Sequence, residues 1–183
     1  MLVARLLGCF TAVFASLSFG LATAPVASAA HSQEAMFMDT GGLYNDPAGT
    51  LAQLTKLGVD RVRLFIGWNR LAPRPLSHTR PRNFKAADPR SYPAARWAPL
   101  DRAIAMIKAA GIGVYVDIGG GAPIWATAPG APAGKPHPSW EPIPGEYGAF
   151  VRAVATRYSG NYDPKTGTLD PGNTDDLPKV TFW

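Results

Sequence analysis

Apolar positions recur along the chain at two alternating periods. Residues 35–38 form a short apolar run that suits a first strand. Asp46-Pro47 then reads as a helix N-cap followed by Pro at the first helical position. Leu51, Leu54 and Leu57 keep helical spacing, and Gly58 is a suitable stop. Residues 59–66 hold Val59, Val62, Leu64, Phe65 and Ile66 with Arg61 and Arg63 interleaved, which predicts a second strand. A helix is expected over residues 99–110, where Leu100, Ile104 and Ile107 fall on one face and Gly111 ends it. The β-rich run 113–118 follows at once, and a third helix fits residues 146–158 through Tyr147, Phe150, Val151 and Val154. Val180-Thr181-Phe182-Trp183 reads as the start of a further buried strand. Strand and helix alternate, the signature of parallel α/β architecture.

The connections are lopsided. Helix-to-strand turns take one or two residues at Gly58 and Gly111, whereas residues 70–96 and 119–145 are long excursions. The second holds seven prolines: Pro123, Pro129, Pro132, Pro136, Pro138, Pro142 and Pro144. Loops of that length inside a compact domain are usually functional or disordered. In α/β barrels the elaborated loops follow the strands, on the face that carries the active site.

The first thirty residues stand apart from this pattern. Arg5 gives a positive start, residues 6–21 are apolar without a charge, and Ala27-Ser28-Ala29 supplies a small-x-small cleavage site. This layout predicts a signal peptide over residues 1–30, a secreted or periplasmic product, and no stable membrane insertion, since a spanning helix needs about 20 apolar residues. Leu6-Leu7-Gly8-Cys9 imitates a lipoprotein box but lies too close to the N-terminus for an apolar region to precede it. Residues 31–183 remain as one domain of about 150 residues.

Composition narrows the chemistry. Of 183 residues, 46% are apolar and 17% charged, which excludes a disordered chain and one filled by membrane spans. The single Cys9 leaves with the signal, so neither a disulfide framework nor thiol chemistry is expected. A net charge of +5 falls short of a nucleic-acid footprint. His31, His78 and His137 are too scattered for a zinc site, and no metal is expected. Gly119-Gly120-Gly121 follows a strand, but Ile124 stands where a dinucleotide fingerprint needs its last glycine and Pro123 interrupts any helix start, so no cofactor is expected. Residues 70–96 carry seven basic side chains against Asp88 alone; this reads as a solvated loop first and an anion-binding segment second.

The informative residues lie at strand ends. Arg63 sits in an apolar strand and needs a partner; it either forms a structural ion pair with Asp117 or lines a cleft. Trp68 and Trp125 follow strands by a few residues, where aromatic rings either stack on sugars or pack in the core. Asp117 is a candidate acid, base or hydrogen-bond partner. Asp39 is the other carboxylate at a strand end, and the three glutamates, Glu34, Glu141 and Glu146, end no expected strand.

Taken together, Leu57-Gly58-Val59-Asp60-Arg61-Val62-Arg63-Leu64-Phe65-Ile66-Gly67-Trp68 resembles the second strand of clan A glycoside hydrolases, the cellulase-like barrel enzymes. Residues 97–118 resemble the stretch leading into their third strand, residues 147–158 their third helix, and Pro178-Lys179-Val180-Thr181-Phe182-Trp183 the lead-in to their fourth. Gly119 and Gly120 depart from the His that cellulase-like members often carry after the strand-three Asp. The resemblance implies a (β/α)8 TIM barrel, of which this chain would cover about the first three and a half βα units. It also implies hydrolysis of O-glycosyl bonds in poly- or oligosaccharides, with retention. Arg63, Trp68, Asp117 and Trp125 would shape the substrate cleft, and the catalytic Glu pair is expected beyond Trp183. Two rival expectations are a secreted, non-catalytic carbohydrate-binding module using exposed Trp residues, and a barrel hydrolase or lyase acting on something other than sugars.

Overall fold

The computed structural model describes residues 33–132, 137–172 and 175–183, and everything below concerns the unit Glu34–Trp183. The expected signal peptide lies outside the described residues. Three parallel strands form one sheet in the order β1-β2-β3: β1 (Met36–Phe37), β2 (Arg61–Gly67) and β3 (Gly113–Gly119). Between β1 and β2 lie helices α1 (Thr40–Asn45) and α2 (Pro47–Lys56). After β2 come α3 (Trp68–Leu71) and α4 (Ala94–Ala109), and after β3 comes α5 (Pro144–Arg157).

Local chemistry explains most of these boundaries. Asp46 caps α2 by accepting from the Gly49 amide at 3.0 Å, with Pro47 in the first turn. Gly58 and Gly111 end α2 and α4 in the left-handed region, at φ +67° and +74°. α4 starts five residues before the sequence expectation and carries Pro99 inside it. The extra turn is held by Trp97, whose buried indole donates to the Pro89 carbonyl at 3.1 Å. That burial outweighs the one backbone bond that Pro99 removes.

Alternation along β2 and β3 sorts the sheet into two faces. Val62, Leu64, Ile66, Val114 and Val116 point to the helices and are buried with Leu51, Leu54, Leu100, Ile104, Ile107, Phe150 and Val154. Each such side chain contributes roughly 1.5–3 kcal/mol on leaving water. Arg61, Arg63 and Phe65, with Tyr115 and Asp117 beside them, form the opposite face, paired in register as Arg63↔Tyr115 and Phe65↔Asp117. At its lower end Glu34 grips Arg61 with two bonds of 2.7 and 2.8 Å, and the Phe182 ring lies 3.7 Å from the guanidinium carbon.

The expected TIM barrel is not what the chain forms. Among the described residues the sheet is open, with three strands, and the anticipated fourth strand is reduced to one bridge, Tyr115↔Phe182, closed by the Val116 amide donating to the Phe182 carbonyl at 3.0 Å. Phe182 and Trp183 are exposed, whereas a barrel strand would bury them on both faces. Closure removes every strand edge through a full ring of tilted strands, and three strands cannot supply it. Parallel pairing with short helix-to-strand turns was the correct part of that expectation. Among the described residues, no helix is long and apolar enough to cross a membrane.

Candidate functional site

The register of β2 and β3 brings together two of the residues singled out from the sequence. Arg63 donates from one terminal nitrogen to Asp117 at 2.5 Å and from the other to the Met38 sulfur at 3.6 Å. Both members keep contact with water, with side chains 39% and 27% exposed. A pair at that exposure contributes at most about 1 kcal/mol to stability. Its interest is chemical: a planar cation and a carboxylate, joined by one hydrogen bond, offer donors and acceptors side by side.

Next to this pair stands Phe65, which sequence reading passed over. Its half-buried ring rises from the face that carries Arg63 and Asp117. Three glycines make room for it. A Cβ at Gly119 would lie 3.3 Å from the ring, and one at Gly120 would lie 3.2 Å from the ring and 3.3 Å from the Gly67 backbone. Gly120 also adopts φ +79°, so any other residue there is strained as well as crowded. The glycine run after β3 therefore exists for ring packing and a tight turn. The signal in the sequence was the conjunction of one aromatic residue in β2 with Gly67 and Gly119-Gly120 at matching strand ends.

Trp68 and Trp125 are placed differently. Trp68 opens α3 and is 1% exposed. Phe150 stacks on it at 5.8 Å and Tyr147 leans on it at 5.5 Å. Trp125 is 6% exposed; its indole donates to the Pro73 carbonyl at 3.0 Å, and Phe84 meets it edge-on at 5.4 Å. Both are anchors of the loops that follow the strands, and their faces are taken by protein. Trp68 nonetheless borders a cleft of about 390 Å³ with Gly119, Gly120, Pro142, Pro144 and Tyr147. The Tyr147 hydroxyl donates to the Ile118 carbonyl at 2.9 Å, which ties α5 to the end of β3.

The remaining carboxylates are engaged elsewhere. Asp39 caps α1 through the Gly42 amide at 2.8 Å. Glu34 serves Arg61 at the opposite end of the strands, and that hydrogen bond holds its carboxyl below the usual range. Glu146 forms two bonds to Arg80, at 2.8 and 3.2 Å. Glu141 is exposed, at φ +29°. Among the described residues no group of three His, Asp or Glu converges as a metal site would require. Compared with family models, with curated proteins and with solved structures, the chain has no match.

Proposed function

We propose that the upper end of this sheet binds a saccharide and that the binding serves hydrolysis of O-glycosyl bonds, the chain supplying recognition. The observation that carries this reading is one juxtaposition: the half-buried Phe65 ring on its glycine bed, beside the solvent-reaching Arg63–Asp117 pair. Sugars present an apolar C–H face and a rim of hydroxyls; an aromatic ring suits the first and a paired cation and carboxylate suit the second. Tyr147 and the cleft beneath Trp68 extend the same surface toward α5. The resemblance of residues 57–68 and 97–118 to glycoside hydrolase strands adds the reaction class.

Saccharide binding without catalysis is the second reading, favoured by the engagement of Glu34 with Arg61 and of Glu146 with Arg80. Retaining hydrolysis needs two carboxyls about 5–5.5 Å apart on one bond. We therefore expect this chain, expressed as it stands, to turn over no aryl glycoside above the buffer rate. Turnover that disappears in Asp117→Asn would contradict the assignment of Asp117 to binding, and turnover that disappears in Glu141→Gln would contradict the expectation that the chain supplies recognition alone.

The test of the site is calorimetric titration with a panel of oligosaccharides. Arg63→Lys keeps the charge and loses the planar fork. Its affinity for saccharide should fall about tenfold, the scale of one charged hydrogen bond, while unfolding stability changes by less than about 1 kcal/mol. Unchanged affinity with a large stability loss would assign Arg63 to structure alone. The same reading includes export, with residues 1–30 as the signal. N-terminal sequencing of secreted product should then begin at Ala30 or His31, and retention of Met1 in the cytoplasm would contradict it.

A further inference from the structure

On the other side of Phe65, two adjoining hollows of about 180 and 270 Å³ share Tyr44, Phe65 and Arg70 as walls. Arg96 closes the first and Thr40 the second. No Asp or Glu lines either hollow. Arg96 is fixed by donating to the Ala72 carbonyl, a neutral acceptor, and has no carboxylate partner among the described residues. Arg70 lies exposed, its stem running across Gly67, with no carboxylate partner among the described residues. Two arginines thus line adjoining hollows beside Phe65, and neither has a carboxylate partner among the described residues. Arg80 and Arg90, from the same segment, each have a carboxylate. Tyr44 donates to the Phe65 carbonyl at 3.2 Å, and burial pushes its hydroxyl up to about 12, so this wall stays neutral and does not repel an anion.

We propose that this groove holds the oxyanion of an acidic saccharide, with Arg70 as its ligand and Arg96 as the second cation. The inference rests on the saccharide reading above and adds the substrate class. A uronate carboxylate and a sulfate ester each present two oxygens that can accept in parallel from a guanidinium fork. The sugar carrying that group would place its apolar face on Phe65.

The experiment is titration of the full chain with three tetrasaccharides, one neutral, one uronic and one sulfated, and with inorganic sulfate alone. An acidic tetrasaccharide should bind at least about tenfold tighter than the neutral one, and the margin should shrink as added salt screens the charges. Whichever acidic probe binds tighter identifies the anion. Arg70→Ala should abolish the margin and Arg70→Lys should keep part of it. Equal affinity for neutral and acidic probes overturns the proposal, as does an acidic preference that survives Arg70→Ala. Inorganic sulfate competing as tightly as the sulfated tetrasaccharide also overturns it, by showing an ion site without a sugar. Binding that ignores Arg70 but is lost in Phe65→Ala removes the acidic preference and leaves the saccharide site standing. Failure of all three tetrasaccharides to bind removes both.

Discussion

Replacing Asp101 with Ala is expected to lower folding stability by about 3–5 kcal/mol, the cost of stranding a buried charge. Asp101 on α4 accepts from Arg157 on α5 at 2.9 and 2.5 Å, and from the Tyr158 hydroxyl at 2.7 Å. The Arg157 guanidinium is buried, with the Trp97 ring 4.8 Å away and the Tyr162 ring 5.6 Å away. Burial pulls its protonation down, and the bonds to Asp101 more than offset that, so it remains a cation. Burial, with Asp101 adding to it, likewise pushes the Tyr158 hydroxyl far up, so it stays a donor. Remove the carboxylate and a cation and a hydroxyl both lose their partner inside the α4–α5 contact. Asp101→Asn keeps one acceptor oxygen and should lose less. Urea unfolding of the three proteins checks the order. A loss below about 1 kcal/mol in Asp101→Ala, the range of surface pairs, would show that water reaches Arg157.

Trp68→Ala should cost a similar amount, about 3–5 kcal/mol, because a fully buried ring leaves a cavity between Phe150 and Tyr147. Trp68→Phe should recover most of the loss, since the indole N–H has no hydrogen-bond partner to forfeit among the described residues. Saccharide affinity separates the anchor from a platform. Trp68→Phe should stay within about twofold of the parent, whereas Phe65→Ala, which removes the half-buried ring, should lose about tenfold or more, the scale of one stacking contact. If Trp68→Phe weakens binding and Phe65→Ala does not, the roles of the two rings are reversed.

These two residues also mark where sequence reading stops. The parallel order was legible because each strand and helix declares its own period, and Gly58 and Gly111 punctuate them. The partner of Arg63 was legible because an arginine in an apolar strand needs a carboxylate, and Asp117 stood in the next one. Phe65 was hidden inside Leu64-Phe65-Ile66, an unbroken apolar run that does not say which side chain faces the helices. Trp68 and Trp125 looked alike, since a ring after a strand packs or stacks according to what α5 and the proline-rich loop bring to it. Thr40-Gly41-Gly42 has poor helix propensity, and α1 forms because Asp39 caps it and Leu43 is buried beneath. Closure into a barrel depends on how many strands assemble, which no local pattern records.

The measurement that bears most directly on the saccharide site is a nuclear magnetic resonance titration of the chain with the tightest-binding oligosaccharide. Shifts should concentrate on Arg63, Phe65, Gly67, Asp117, Gly119, Gly120 and Tyr147, and should saturate together with one dissociation constant. Shifts confined to the exposed loop around Leu76 and Arg82, or spread without saturation, would place any sugar elsewhere and contradict the strand-end site.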